Sequence, residues 1–304
     1  MTCSYPVQMK TLSDLGVILL GLASTPALLG QVDAREIIRD AVAADARNWS
    51  VARSYEFLQR VELRRLDADG KAKLSDVRTY DVTLQEGTPY RQLVQRGDRP
   101  LPPAEERKEQ GSLAKSFAER RKETAAERVR RLSAFERRPD WERDAWHELP
   151  DAFVFRLVGE GIMDGHDVFI IDAMPREGYQ PQSLTGRLFR SLKGRFWVDQ
   201  QDHQMVKVEA EVIDAISVGF FLVRVAQGSR ATVEFTCIGG GVWVPDRLQV
   251  FASARLGLLQ TIRIDRRIQY SQYSVPAEAR TNYPEESRDA RSAALNRFAK
   301  AISP

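Results

Sequence analysis

Residues 242–256 read VWVPDRLQVFASARL and residues 262–270 read IRIDRRIQY. In the first stretch Val242, Val244, Leu248, Val250, Ala252, Ala254 and Leu256 share one face. In the second, Ile262, Ile264, Ile268 and Tyr270 alternate with Arg263, Asp265 and Arg267. A period of two is the signature of a strand with one face buried and one wet. Two such strands in succession, preceded by Gly239-Gly240-Gly241, read as neighbours in an antiparallel sheet.

Working back along the chain, the pattern repeats. Ala231, Val233, Phe235 and Cys237 oppose Arg230, Thr232, Glu234 and Thr236, and Val206, Val208, Ala210 and Val212 oppose Lys207, Glu209 and Glu211. A turn near Gln200 to His203 joins the latter strand to Arg195–Asp199, after a loop rich in Gly, Pro and Arg from 176 to 194. Before it, Phe153, Phe155 and Leu157 pair through Met163-Asp164-Gly165-His166 with Val168–Ala173. Near the start, Tyr55, Phe57, Gln59, Val61 and Leu63 alternate with charged residues, and Asp67-Ala68-Asp69-Gly70 turns the chain into a strand through Tyr80, Val82 and Leu84. A short strand from Tyr90 to Gln95 follows. About eleven strands in hairpin order predict a large curved antiparallel sheet, an incomplete barrel, in a mainly β protein with an α cover.

The cover is expected from two places. Residues 34–49 carry Ala34, Ile37, Ile38, Ala41 and Val42 at helical spacing behind Asp33, a candidate N-cap. From Pro103 to Glu148 the chain is a charged helical insertion: 12 Lys and Arg and 11 Asp and Glu make up half of its 46 residues. Pro102-Pro103 with Glu105 and Glu106 open one helix. Thr124-Ala125-Ala126-Glu127 is a capping box for a second, with Val129, Leu132 and Phe135 as its apolar stripe and Pro139 as its stop. Trp141, Ala145 and Leu149 suggest a further turn or two. Such narrow stripes leave wide solvated faces. Few amphipathic helices cannot fill the inner side of so large a sheet, so an apolar cavity is expected beneath them.

Residues 1–30 form a separate unit. Lys10 precedes an apolar run from Leu15 to Leu29, too short for a spanning helix and suited to a signal-peptide core. Small residues around Pro26 offer cleavage after Ala27 or Gly30, the alternative being an uncleaved anchor. The mature chain then has no transmembrane span and keeps one thiol, Cys237, because Cys3 is removed. The remaining chain divides into a half-barrel domain at 31–275 and a polar tail at 276–304, with a short helix near Ala290 to Ala301.

Composition excludes several functions. Across 304 residues, 45 Lys and Arg against 42 Asp and Glu leave a net charge of +3, against a nucleic-acid binder. Two cysteines and three histidines supply neither a disulfide scaffold nor a zinc site. Ala215-Ile216-Ser217-Val218-Gly219 lacks the first glycine of a nucleophile elbow and sits between strands. Asp67–Gly70 lacks the distal ligands of a calcium loop. His166 and His203 lie in turns without ligand spacing, Cys237 faces inward, and Asn48-Trp49-Ser50 is a glycosylation triplet inside a helix. No catalytic residue, metal site or cofactor is expected.

Two hairpins carry a family resemblance. Residues 159–176, GEGIMDGHDVFIIDAMPR, resemble the G-x-x-x-x-x-G-x-x-x-Y-x-I-x-x-x-P hairpin of bacterial outer-membrane lipoprotein-sorting proteins. Arg195-Phe196-Trp197-Val198-Asp199 with Val206-Lys207-Val208-Glu209 resembles their following hairpin. Both are similar to the LolA-like periplasmic lipoprotein-carrier superfamily, which includes carriers and regulators of envelope stress. The resemblance implies a helix-capped half-barrel that holds acyl chains, with no catalytic residues; the charged insertion departs from the small carriers. The function expected is an exported, periplasmic carrier of lipid or lipoprotein acyl chains. The alternative is an envelope regulatory or scaffold protein whose insertion docks a membrane-anchored partner. The residues expected to line the cavity are Phe57, Val61, Tyr80, Val82, Phe196, Val208, Val212, Phe235, Val250, Ala254 and Ile264.

Overall fold

The computed structural model describes residues 33–137, 140–218, 223–256 and 260–276. The signal-like segment, the run at 219–222 and the tail beyond 276 lie outside these residues.

Helix α1 (Ala34–Ala52) begins as the sequence predicts, with the Asp33 carboxylate accepting from the Arg35 N–H at 2.9 Å. Its apolar stripe is buried: Ile38 and Ala41 are wholly so. Strands β1 (Glu56–Leu66), β2 (Ala72–Gln85), β3 (Thr88–Arg96) and the two-residue β4 (Arg99–Pro100) follow as a meander. Asp67 closes the first turn by accepting from the Asp69 and Lys71 N–H groups, which is a hairpin device rather than a metal loop. Helices α2 (Pro103–Arg121), α3 (Ala125–Glu136) and α4 (Asp140–Ala152) come next. The capping box at Thr124 and Glu127 forms in both directions.

The second half runs β5 (Phe153–Met163), β6 (His166–Pro175), the short α5 (Gly186–Phe189), β7 (Leu192–Asp199), β8 (Met205–Val212), β9 (Ile216–Val218), β10 (Val223–Val225), β11 (Arg230–Ile238), β12 (Val242–Leu256) and β13 (Gln260–Ser274). All pairings are antiparallel, in the order β4-β3-β2-β1-β13-β12-β11-β8-β7-β6-β5, with β9 and β10 appended beside β12. Among the described residues the sheet has thirteen strands and free edges at β4, β5 and β9, so it stays an unclosed barrel. The step the sequence leaves open is the pairing of β1 with β13, which brings the two ends of the domain together.

Directly paired residues share a face, and the registers define two. On one, an apolar row crosses eight strands: Leu157, Ile171, Phe196, Val208, Val233, Leu248, Ile268 and Val61 are each opposite the next. The other face carries an ion ladder, in which Arg195 meets Asp172 at 2.5 Å, Arg247 meets Glu234 at 3.0 Å and Arg267 meets Asp265 at 2.9 Å. One face is thus built to exclude water and the other to meet it.

The cover comes from α1 and from the last helix of the expected insertion, but not from the insertion's first two helices. Helix α2 buries no residue at all, and neither does α3. They hang on the β2–β3 hairpin: Arg120 donates to the carbonyls of Gln85 and Thr88, and Arg131 to the Glu86 carbonyl and the Thr88 hydroxyl. The charge that made this segment conspicuous keeps it off the apolar row. The covers are α1 and α4, whose Ile37, Ile38, Leu149 and Ala152 pack with Phe153, Ile171, Phe196 and Val198. Helix α4 is 13 residues long rather than the turn or two expected.

Candidate functional site

Beneath α4 lies an apolar chamber of about 170 Å³. Ala145, Trp146 and Leu149 roof it, Phe189 and Leu192 form a wall, and Phe196 and Val208 lie in its floor. The floor is deepened by Gly194, which stands opposite both Ala173 and Ala210. A β-carbon on Gly194 would come within 3.3 Å of both the Phe196 ring and the Glu209 carbonyl, so glycine leaves the ring room to pack over the strand. Trp146 also lines a second groove, of about 400 Å³, between α1 and α4, with Val42, Trp49 and Pro150 on its other walls. The two hollows meet at one indole.

The roof is held by polar contacts at its edges. Glu148 of α4 is buried, and its carboxylate accepts from the Tyr179 hydroxyl and, at 2.9 Å, from the Gln182 N–H. Burial pushes the Glu148 carboxyl up, but hydrogen bonds from Ser183, Tyr179 and the Gln182 N–H outweigh it and hold the group below the usual carboxylate range. The same contact drives the Tyr179 phenol upward, after desolvation. A side chain on Gly186 would collide with the Glu148 carboxylate, which fixes glycine at the start of α5. On the other side Arg35 of α1 donates to the Pro150 carbonyl at 2.9 Å and pairs with Asp151.

At the end of α1 a second polar cluster ties helix to sheet. Asp199 is buried and accepts from the Gln201 and Asp202 N–H groups at 2.8 and 2.9 Å, with His166 Nδ1 at 2.9 Å. Burial raises its pKa, yet those donors keep it below the ordinary value. The Trp243 indole donates to Asp202 at 2.8 Å and its ring lies 4.7 Å from that of His166. Cys237 is half-buried opposite Trp243, and desolvation pushes its thiol up, away from reactivity. The glycosylation triplet is spent on structure, since both ends of the Asn48 amide bond Trp243. Ser217 stands exposed opposite Arg224 in the β9–β10 pair.

The structure brings only some of the expected lining residues to the chamber. Phe196 and Val208 line it, Phe235 packs beside the same core cluster, and Val212 is buried at the end of β8 opposite Leu192. The rest occupy the same face in the other half of the sheet. Val61 stands in the apolar row, Phe57 faces Val82 and clusters with Tyr270 and Tyr273, and Tyr80 lies under Arg91 at 3.5 Å. Val250 faces Ala231, Ala254 faces Ile262, and Ile264 faces Ala252. Missed by the sequence reading were Trp146, Phe189, Leu192 and Gly194. The signal for the first was present, since Trp146 stands next to Ala145 in the helical stripe that ends at Leu149.

Among the described residues no three His, Cys, Asp or Glu side chains stand together as a metal site, and no helix is long and apolar enough to cross a membrane.

No protein-family model matches the chain, and no curated protein matches it. Solved structures similar to it include an outer-membrane lipoprotein-sorting protein domain from Vibrio parahaemolyticus, at 11% identity and a TM-score of 0.33, covering 85% of this chain and 98% of that one. A LolA-superfamily protein from Nitrosomonas europaea matches at 12% identity and a TM-score of 0.31, over 84% of this chain and 99% of that one. MucB in its complex with MucA from Pseudomonas aeruginosa matches at 12% identity and a TM-score of 0.24, over 79% and 94%.

Proposed function

We propose that the protein is an exported, periplasmic, non-catalytic carrier that takes lipid or lipoprotein acyl chains into the chamber beneath α4. The observation that carries this reading is the apolar chamber beneath α4, whose floor residues Phe196 and Val208 belong to an apolar row that runs from Leu157 to Val61. An acyl chain seated on Phe196 and Val208 and laid along that row would gain about 0.8 kcal/mol for each methylene removed from water. Shape and dispersion suffice for such a ligand, and no charged group is needed in the floor. Of the residues read from the sequence, Phe196 and Val208 would contact the chain first, with Val61, Val250 and Ile264 further along.

Titration of the purified protein with a fluorescent fatty acid, together with mass spectrometry of co-purified lipid, tests this. Saturable uptake supports the reading; a protein that purifies empty and takes up no fatty acid overturns it.

A second reading has its own observation. Helix α2 spends 19 residues and buries none of them, which suits a surface reserved for a membrane-anchored protein partner. Because α4 belongs to the core, the informative deletion removes only 103–136. Under this reading the deletion leaves fatty-acid uptake unchanged and abolishes co-purification of the partner.

A further inference from the structure

Arg224 in β10 stands directly opposite Arg255 in β12. Like charges facing each other across an antiparallel pair oppose the pairing. On the same face Arg255 is opposite Thr261 and Ser253 is opposite Arg263. Arg224, Arg255 and Arg263 line one cavity of about 390 Å³ with Gln227, Ser253 and Thr261, and no carboxylate lines it. Elsewhere on that face cations are neutralised, as Lys193 is by Glu211 and Arg195 by Asp172. Among the described residues Arg224 and Arg255 enter no ion pair. Arg263 is fixed in place, donating to the carbonyls of Asp67 and Ala68 at 2.9 and 2.7 Å. A neighbouring groove of about 620 Å³ shares Thr261 and Arg263 and adds Arg65 and Lys73 together with one carboxylate, that of Asp67.

The geometry points to an anion site: Arg224, Arg255 and Arg263 bind a phosphate group. Guanidinium forks match phosphate oxygens in pairs, and the Ser253 and Thr261 hydroxyls add single donors. The bound dianion or monoanion converts the repulsion between Arg224 and Arg255 into two attractions. The phosphate arrives either as a free anion or as the headgroup of an anionic lipid, and the chemistry of recognition is the same. The site lies on the charged face, opposite the apolar row, so it stands or falls independently of the carrier reading.

Two probes separate the sources in the full-length protein. Inorganic phosphate is titrated calorimetrically at constant ionic strength made up with chloride, and vesicles of phosphatidylglycerol are compared with phosphatidylcholine by co-sedimentation. Phosphate binding in solution assigns a free anion; retention by phosphatidylglycerol vesicles without phosphate binding assigns a lipid headgroup. In either case the Arg224→Gln, Arg255→Gln double variant should bind at least tenfold more weakly while melting no lower than wild type. Arg230→Gln, on the same face but paired with Glu211, should bind as wild type does. The proposal is overturned by wild-type binding of neither probe, by binding that survives the double substitution, or by an equal loss in Arg230→Gln.

Discussion

Asn48 and Trp243, 195 residues apart, hold each other by two hydrogen bonds: the Asn48 amide donates to the Trp243 carbonyl at 2.7 Å, and the Trp243 N–H donates back at 3.0 Å. The pair fastens the end of α1 to the start of β12, where Trp243 is 2% exposed. Asn48 therefore completes the backbone pairing of a residue that sits where β12 has only β11 as neighbour.

Replacing Asn48 by Ala should strand a buried N–H and a buried carbonyl at once. The expected loss is about 2–3 kcal/mol, or a fall in Tm of several degrees for a domain of this size. Asn48→Asp keeps the acceptor but sets a carboxylate oxygen against the Trp243 carbonyl, so it too should melt below wild type. Thermal denaturation of the three proteins gives the order; an Ala variant that melts with wild type would show that the latch contributes nothing.

Glu148 makes stability depend on acid. Its pKa in the folded state is below the ordinary carboxylate value, so the ionised form is the one the fold prefers. Its contribution is complete above the unfolded pKa and is lost as pH falls through the folded one. Denaturant titrations of wild type and Glu148→Gln should differ most near neutrality and converge in acid. Asp199, lowered in the same sense, remains in the variant and preserves part of the acid limb. A gap that stays constant with pH would mean that the ionised Glu148 is not what holds the loop at 179–186.

These two contacts show what could be read in advance. The strands were legible because one face had to be apolar, and a period of two survives any tertiary arrangement. The caps at Asp33 and Thr124 were legible because they are local. Asn48 and Glu148 were not, since each finds its partner through a fold that brings distant segments together. The share of the cover assigned to α2 and α3 was too large for a related reason. Helices α2 and α3 announce themselves by charge, but burial is decided by Ile37, Ile38, Leu149 and Ala152. Of the expected cavity residues, all eleven lie on strands that were foreseen, yet which of them α4 would roof depended on the path of the chain from 140 to 152.

Arg131 should hold α3 against the β2–β3 hairpin. It pairs with Glu123 at 2.8 Å and donates to the Glu86 carbonyl and the Thr88 hydroxyl, joining α3, the turn that follows α2 and the hairpin at one point. Neither helix buries a residue, so removing this contact should loosen α3 without unfolding the sheet, while Arg120 still fastens α2 to the hairpin. In Arg131→Ala, hydrogen exchange should rise across 125–136 while β5–β8 keep wild-type protection, with a global loss of no more than about 1–2 kcal/mol. Exchange that rises equally in both regions would place α3 inside the cooperative core.

The chamber itself can be filled from within. Val208 lies in its floor and is only half-buried, so Val208→Phe points extra atoms into space that is already empty. Ordinary overpacking costs about 1–3 kcal/mol, and a cavity to receive the ring should keep this substitution at the low end. Phe196→Ala is the poorer probe, since Phe196 is 5% exposed and its truncation should cost about 3–5 kcal/mol. With the fold intact, Val208→Phe should weaken fatty-acid uptake at least tenfold. Val61→Phe, in the same apolar row but on β1, supplies the comparison. Unchanged uptake there and loss at Val208 would confine the ligand to the space under α4, equal losses would extend it along the row, and full uptake by both variants would remove the chamber from consideration.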